Sequence, residues 1–458
     1  MTNAAEPIRP AELAGLFDQY LKSLADARAA LAVSGGSDST ALMVLCADWL
    51  GQIGAPTAGL TVLTVDHGLR PQSAEEARLV AHRAADLGFA HATLVWEGAK
   101  PQTGLQAAAR AARYRLMGAY VHHHGLGWLL TAHTAEDQAE TVLMRLARGS
   151  GLDGLAGMSQ TTVLGARGEQ PLRIVRPLLN VSRARLRATL TERGIPWVED
   201  PSNLSPAFER TRLRAAREHL DALGLTSEMI CLSARRLQRA RAAVDGWAAS
   251  FADAAAGHVH VDPCGYLAID GPALRALPAE IAIRVLTRAV VAAGGSDEPV
   301  ALANVETIAG HLGSGSGCGA WTLSRAKITA GPEHILIERE PGREELPHLT
   351  LAPGRSAVWD GRFKVHAEPA MEGTVDVGPL GPDGLKELRG LGAVTSPAPA
   401  STLRAMPAFR RGGVLVAVPS LNWFGAPRVR GRLAAHFPAL GWYNSAAAAA
   451  RADEPFVP

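Results

Sequence analysis

Between residues 29 and 200 short apolar runs alternate with longer amphipathic stretches, and this alternation restricts the possible folds more than any other feature of the chain. The runs at 29–33, 60–65, 92–96 and 128–132, with a fifth around 172–175, have the length and composition of strands. Stretches between them, such as 73–88 and 106–122, carry apolar residues at helical spacing, and Ser73 with Glu76 reads as the capping box of the first. Strands separated by helices do not pair through tight hairpins; they line up parallel and need helices on both faces. The expected fold is α/β, a doubly wound parallel sheet. Such sheets bind ligands beyond the carboxyl ends of their strands, so the loops that follow strands are where chemistry is to be sought.

The first of these loops is Ser34-Gly35-Gly36-Ser37-Asp38-Ser39-Thr40, and an apolar helix follows it directly. Its two glycines let backbone N–H groups close around an anion, its serines add hydroxyl donors, and the helix N-terminus contributes partial positive charge. The spacing is not the GxxxxGKS or GxxxxGKT of Walker-type loops. An acid inside a phosphate cradle requires a cation, so Asp38 implies magnesium.

Two further loops lie at strand ends. Asp66-His67-Gly68-Leu69-Arg70 follows the second strand, and the fourth runs into Thr131-Ala132-His133-Thr134-Ala135-Glu136-Asp137-Gln138-Ala139-Glu140-Thr141. Asp137 and Glu140, three residues apart, share one face of a helix whose other face is apolar. Acids in a first helical turn also favour the helix dipole, but their place beyond a strand, beside His133, points to magnesium or a cationic substrate.

After residue 200 the alternation stops. Residues 204–206 read as a linker, and an arginine-rich helical stretch runs from Glu209 to about Ala254, with Arg210, Arg212 and Arg214 at its start. Helical patterning returns over 272–312, and from 317 short strands alternate with Gly/Pro turns. The alanine run at 446–450 reads as a fraying end. The four cysteines, Cys46, Cys231, Cys264 and Cys318, form no CxxC pair and suggest neither a disulfide framework nor a metal cluster. No apolar run approaches the roughly 20 residues of a membrane span, and the first ten residues lack a secretory layout, so the expected compartment is the cytoplasm.

The motifs succeed one another in a telling order: SGGSDS at 34–39, VDHGLR at 65–70, Arg113-Tyr114, AHxxxDQAET at 132–141, RLARGSGLDGLAGM at 145–158, VRPLLNVSR at 175–183 and EDPSN at 199–203. The first loop resembles the pyrophosphate loop of the ATP pyrophosphatase superfamily, and the whole succession resembles the tRNA(Ile)-lysidine synthetase family. Later in the chain only the stretch 407–419 is loosely similar. Thr134, Glu136 and Thr211 depart from the family pattern, and no catalytic role is carried over to them.

The resemblance implies a catalytic ATP pyrophosphatase domain over 1–205, a helical tRNA-binding domain over 206–315 and a small β-rich tRNA-recognition domain over 316–458. It implies ligation of free L-lysine to C2 of the wobble cytidine in the CAU anticodon of tRNA(Ile), through an adenylated tRNA, with release of pyrophosphate and AMP. Asp38, Arg113, His133, Asp137 and Glu140 are the expected catalytic residues. Ser34, Gly35, Gly36, Ser37, Asp38, Ser39, His67 and His133 are expected to bind ATP, and Asp38 and Asp137 to hold Mg2+. Asp137 or Glu140 receives the lysine ammonium and its proton, and Arg210, Arg212 and Arg214 meet tRNA phosphates. A homodimer is left open.

Rival activities fit less well. A sulfur-transferring relative needs reactive cysteines or a cluster, and amidating synthetases bring a glutamine-hydrolysing domain. An inactive tRNA binder has no reason to keep SGGSDS, His133, Asp137 and Glu140 together.

Overall fold

The computed structural model describes residues 5–21, 28–69, 72–101, 103–164, 172–199, 209–296, 298–314, 318–342, 344–394 and 396–437. Arg70, the linker at 204–206, most of the EDPSN motif and the alanine run at 446–450 lie outside them. The described residues divide at about residue 241 into two units.

The first unit holds a six-stranded sheet of β1 (Ala29–Ala32), β2 (Leu60–Asp66), β3 (Ala90–Val95), β4 (Trp128–Leu130), β5 (Thr161–Leu164) and β6 (Leu172–Val175), in the order β3-β2-β1-β4-β6-β5. All pairings are parallel except that of β5 with β6. Leu31, Val62, Leu129, Leu130, Ile174 and Val175 are buried, as strands covered on both faces require. One face packs against α1 (Leu13–Leu21), α2 (Ser37–Gln52), α3 (Ser73–Asp86) and α7 (Arg183–Glu192), through Phe17, Leu42, Leu45, Val80, Leu186 and Leu190. The other face packs against α4 (Leu105–His123) through Met117 and Val121. Each fully buried leucine or valine here contributes about 1.5–3 kcal/mol of transfer free energy.

Three details differ from the sequence expectation. The antiparallel edge strand β5 was not legible, because four residues carry too little periodicity. Gln72, not Ser73, takes the N-cap position of α3; the Ser73 hydroxyl donates instead to Asp66 Oδ1 at 2.6 Å and ties the helix to the end of β2. The arginine-rich stretch is broken into α8 (Glu209–Ala215), α9 (Arg217–Ala222) and α10 (Ser227–Ala252), with a turn at Gly224. Two more helices, α5 (Ala135–Ala147) and α6 (Leu152–Leu155), follow β4.

The second unit contains three sheets. One has the order β7-β8-β11-β10-β9 and is antiparallel throughout, drawing β7 (Val259–Asp262) and β8 (Tyr266–Asp270) together with β9 (Gly319–Leu323), β10 (Ala326–Ala330) and β11 (His334–Arg339). Helix α11 (Ala279–Gly294) buries Val285, Ala289 and Val290 in the core beside it. The strands from Leu349 to His436 form the other two sheets, and the stretch 407–419 is a hairpin whose Ala408, Phe409, Ala417 and Val418 are buried. No helix among the described residues is long and apolar enough to cross a membrane.

Candidate active site

The parallel sheet brings the loops after β1, β4 and β6 side by side, since β1 lies next to β4 and β4 next to β6. Each loop ends in a helix, so the N-termini of α2, α5 and α7 converge and their dipoles favour anions there.

In the first loop Gly35 has φ +88°, a conformation L side chains avoid, and a Cβ added there would meet Val80 at 3.2 Å and Val198 at 3.4 Å. The Val198 N–H donates to the Gly35 carbonyl at 2.9 Å. Ser39 Oγ accepts from the Ser34 N–H at 3.2 Å and donates to the Gly36 carbonyl, while Ser37 Oγ donates to Asp38. The loop is thus held from within, with Ser34 exposed at its rim and Ser37, Ser39 and Thr40 buried.

Asp38 and Asp137 meet through an arginine that sequence reading left without a role. Arg183 Nε donates to Asp38 Oδ2 at 2.8 Å and its Nη2 to Asp137 Oδ1 at 3.2 Å. Arg214, from α8, donates through Nε and Nη2 to the two oxygens of Glu140 at 2.7 and 3.3 Å and lies 3.8 Å from Asp137. One of the three arginines expected on tRNA phosphate is therefore engaged by carboxylates. Burial pushes the Asp38 carboxyl above its usual value, against the pull of Arg183. For Asp137 burial also pushes upward, but Arg183 and the Thr134 N–H hold the carboxyl below its usual value. Two carboxylates within reach of one cation suit magnesium, which commonly takes one or two protein carboxylates and leaves its other positions to phosphate oxygens and water. Among the described residues no cluster of three or more His, Cys, Asp or Glu converges as a closed metal cage.

Thr134 is fully buried as the N-cap of α5; its N–H and hydroxyl both donate to Asp137 Oδ2, at 3.0 and 3.1 Å. Glu136 Oε2 accepts from the Arg183 N–H at 2.9 Å and fixes the start of α7. The two departures from the family pattern inside the loop therefore shape it.

His133 Nδ1 lies 2.9 Å from Thr131 Oγ1. Burial, with Arg176 nearby, pushes its ring from the ordinary 6.5 down to about 3, so the imidazole is neutral near neutrality. A Thr131 hydroxyl that donates to Nδ1 leaves Nε2–H as the ring's donor; one that donates to the Val175 carbonyl, 3.4 Å away, receives Nδ1–H and leaves Nε2 as an acceptor. His67 and Arg113 form a second group at the end of β2. Among the described residues neither buried His67 ring nitrogen has a hydrogen-bond partner; its ring sits edge-on to Trp96 at 5.8 Å, and burial, then Arg113, lower its pKa. Arg113 is exposed, and neither residue shares a hydrogen bond with the carboxylates.

Residues 11–218 match the PP-loop domain family. A tRNA(Ile)-lysidine synthase of Methylobacterium nodulans is 45% identical over 309 residues, covering 67% of this chain and 88% of that protein. One from Bradyrhizobium sp. strain BTAi1 is 42% identical over 354 residues, covering 74% and 96%, and one from Ruegeria pomeroyi is 37% identical over 428 residues, covering 91% and 90%. The chain belongs to the tRNA(Ile)-lysidine synthase family. It is an enzyme of that family, with an ATP-using PP-loop domain.

Family motifs without an obvious chemical role find a structural one. Gln138 exchanges hydrogen bonds with the Met158 backbone at 2.9 and 2.7 Å, and Arg145 donates to the Gly154 and Gly157 carbonyls, so RLARGSGLDGLAGM folds back to brace α5. Arg176, 2% exposed, donates to the Ser159 carbonyl and to Thr162 Oγ1. Cys231 and Cys264 are buried and their thiols are pushed up to about 11 and about 12 by burial; Cys46 is raised further for the same reason. Such thiols are poor nucleophiles.

Proposed function

We propose that the enzyme ligates free L-lysine to C2 of the wobble cytidine in the CAU anticodon of tRNA(Ile), in the cytoplasm, through an adenylated tRNA. The observation that carries this reading is the meeting of the phosphate loop, His133 and three carboxylates at the ends of three helices, in a chain of this family. The C2 carbonyl oxygen of cytidine attacks the α-phosphorus of ATP and pyrophosphate leaves. The lysine ε-amine then attacks C2, and AMP departs with the former carbonyl oxygen.

Ser34, Gly35, Gly36, Ser37 and Ser39 hold the ATP phosphates with backbone and hydroxyl donors. His133, neutral, donates Nε2–H to the α-phosphate as charge builds there. Asp38 and Asp137 would hold Mg2+, which when bound neutralises phosphate charge and orients the leaving pyrophosphate. His67, with its two unsatisfied ring nitrogens, and Arg113 contact the bound nucleotides. Asp137 is tied to Asp38 through Arg183, which supports a place for it on the phosphate side. Glu140 is then the carboxylate for the lysine ammonium, which must lose its proton before it attacks. The regions 206–315 and 316–458 serve tRNA binding and recognition.

The test separates the half-reactions. Asp38→Asn should abolish tRNA-dependent pyrophosphate release. Glu140→Gln should retain that release and lose incorporation of labelled lysine, with a raised KM for lysine. Incorporation of lysine by Glu140→Gln at the unmodified KM would overturn the assignment, and label in the methionine tRNA as readily as in tRNA(Ile) would overturn the specificity.

A further inference from the structure

Asp38 and Asp137 lie in the first turns of α2 and α5, and two carboxylates facing one cleft repel each other unless a cation stands between them. In this structure that cation is Arg183, with Nε on Asp38 at 2.8 Å and Nη2 on Asp137 at 3.2 Å. Its backbone is fastened separately. The Arg183 N–H donates to Glu136 at 2.9 Å, and Ser182 caps α7 by accepting from the Arg185 N–H at 3.4 Å. Neither tie involves the guanidinium. Arginine suits the position because its planar fork reaches both acids at once and keeps its charge at every physiological pH.

We propose that Arg183 is a place-holding cation, which balances Asp38 and Asp137 in the free enzyme and must be displaced before a divalent ion can use the same oxygens. This rests on the reading of Asp38 and Asp137 as the magnesium ligands. A divalent ion and a guanidinium both need the lone pairs that face the gap between the two acids, so they compete. Free metal is opposed until nucleotide phosphates supply further ligands, and metal and nucleotide enter as one complex.

The experiment titrates Mn2+, a paramagnetic stand-in for magnesium, into the full chain without nucleotide and follows free ion by electron paramagnetic resonance. Arg183→Gln should bind Mn2+ about ten- to a hundredfold more tightly than wild type, the range a single charge-assisted hydrogen bond commands. Its metal-free melting temperature should fall and recover on adding Mn2+. Arg187→Gln removes the same charge one turn along α7, where the Arg187 Nε reaches Ser37 at 3.5 Å and no hydrogen bond goes to either acid; it should change affinity by less than about threefold. Arg183→Lys keeps the charge without the fork, should fall between wild type and the glutamine variant, and serves if that variant does not fold. Equal metal affinity in wild type and both Arg183 variants, or equal tightening by Arg187→Gln, overturns the place-holder. In either case metal-dependent binding of α,β-methylene ATP by wild type leaves the site reading intact. Absence of that binding removes the reading and the proposal with it.

Discussion

His133 gives a prediction in which sign and size both follow from its surroundings. Burial and the nearby Arg176 lower its pKa from 6.5 to about 3 in the folded chain. A group with a folded pKa below its unfolded one binds its proton more readily in the unfolded chain, so stability is unaffected above about pH 6.5 and falls as pH drops towards about 3. Between pH 7 and about pH 4.5 the loss from this one ring is about 2–3 kcal/mol. The perturbation is His133→Gln, which removes the titration but leaves every other histidine and carboxylate in place. Urea unfolding of both proteins at the two pH values measures it, read through amide exchange in α5 so that the first unit is followed. Wild type should lose about 2–3 kcal/mol more than the variant on acidification, whatever their offset at pH 7. Parallel losses would mean that the ring charges freely in the folded state. The neutral Nε2–H donor assigned to it would then be wrong.

Two further predictions concern the loop and the second unit. Gly35→Ala places a Cβ 3.2 Å from Val80 at φ +88°, and should cost about 1–2 kcal/mol of stability while raising the KM for ATP at least severalfold; thermal melts and initial rates check it, and an unchanged KM would show that the loop does not touch phosphate. Asp360, with its side chain fully buried, accepts from Arg325, Arg339 and Arg362 at 2.7, 3.1 and 2.7 Å, so Asp360→Ala leaves buried guanidinium charge uncompensated and should destabilise the second unit by about 3–5 kcal/mol in urea unfolding. A loss under about 1 kcal/mol would mean that water or Glu344 takes over the charges.

Much of the candidate site was legible because its residues follow strands. Ser34 to Ser39, His67, His133, Asp137 and Glu140 could be found by asking which loops lie at carboxyl ends. Arg183 and Arg214 were not, although VRPLLNVSR had been singled out, because nothing in a linear pattern says that an arginine 46 residues from Asp137 shares its oxygens. The role of Thr134 was hidden for a different reason: N-capping depends on where a helix begins, and sequence leaves that start uncertain by a residue or more, as the shift from Ser73 to Gln72 in α3 also illustrates.

Alternating strand and helix periods admit few arrangements other than the parallel α/β core, and the chemical character of the loops follows from their residues, since glycines, hydroxyls and acids act through local backbone geometry. Which charges meet depends on how the strands are ordered in the folded sheet. Asp38, Asp137 and Arg183 start three helices fed by three neighbouring strands, and the order β1-β4-β6 that makes them neighbours is set by sheet pairing, a long-range choice that no local spacing encodes.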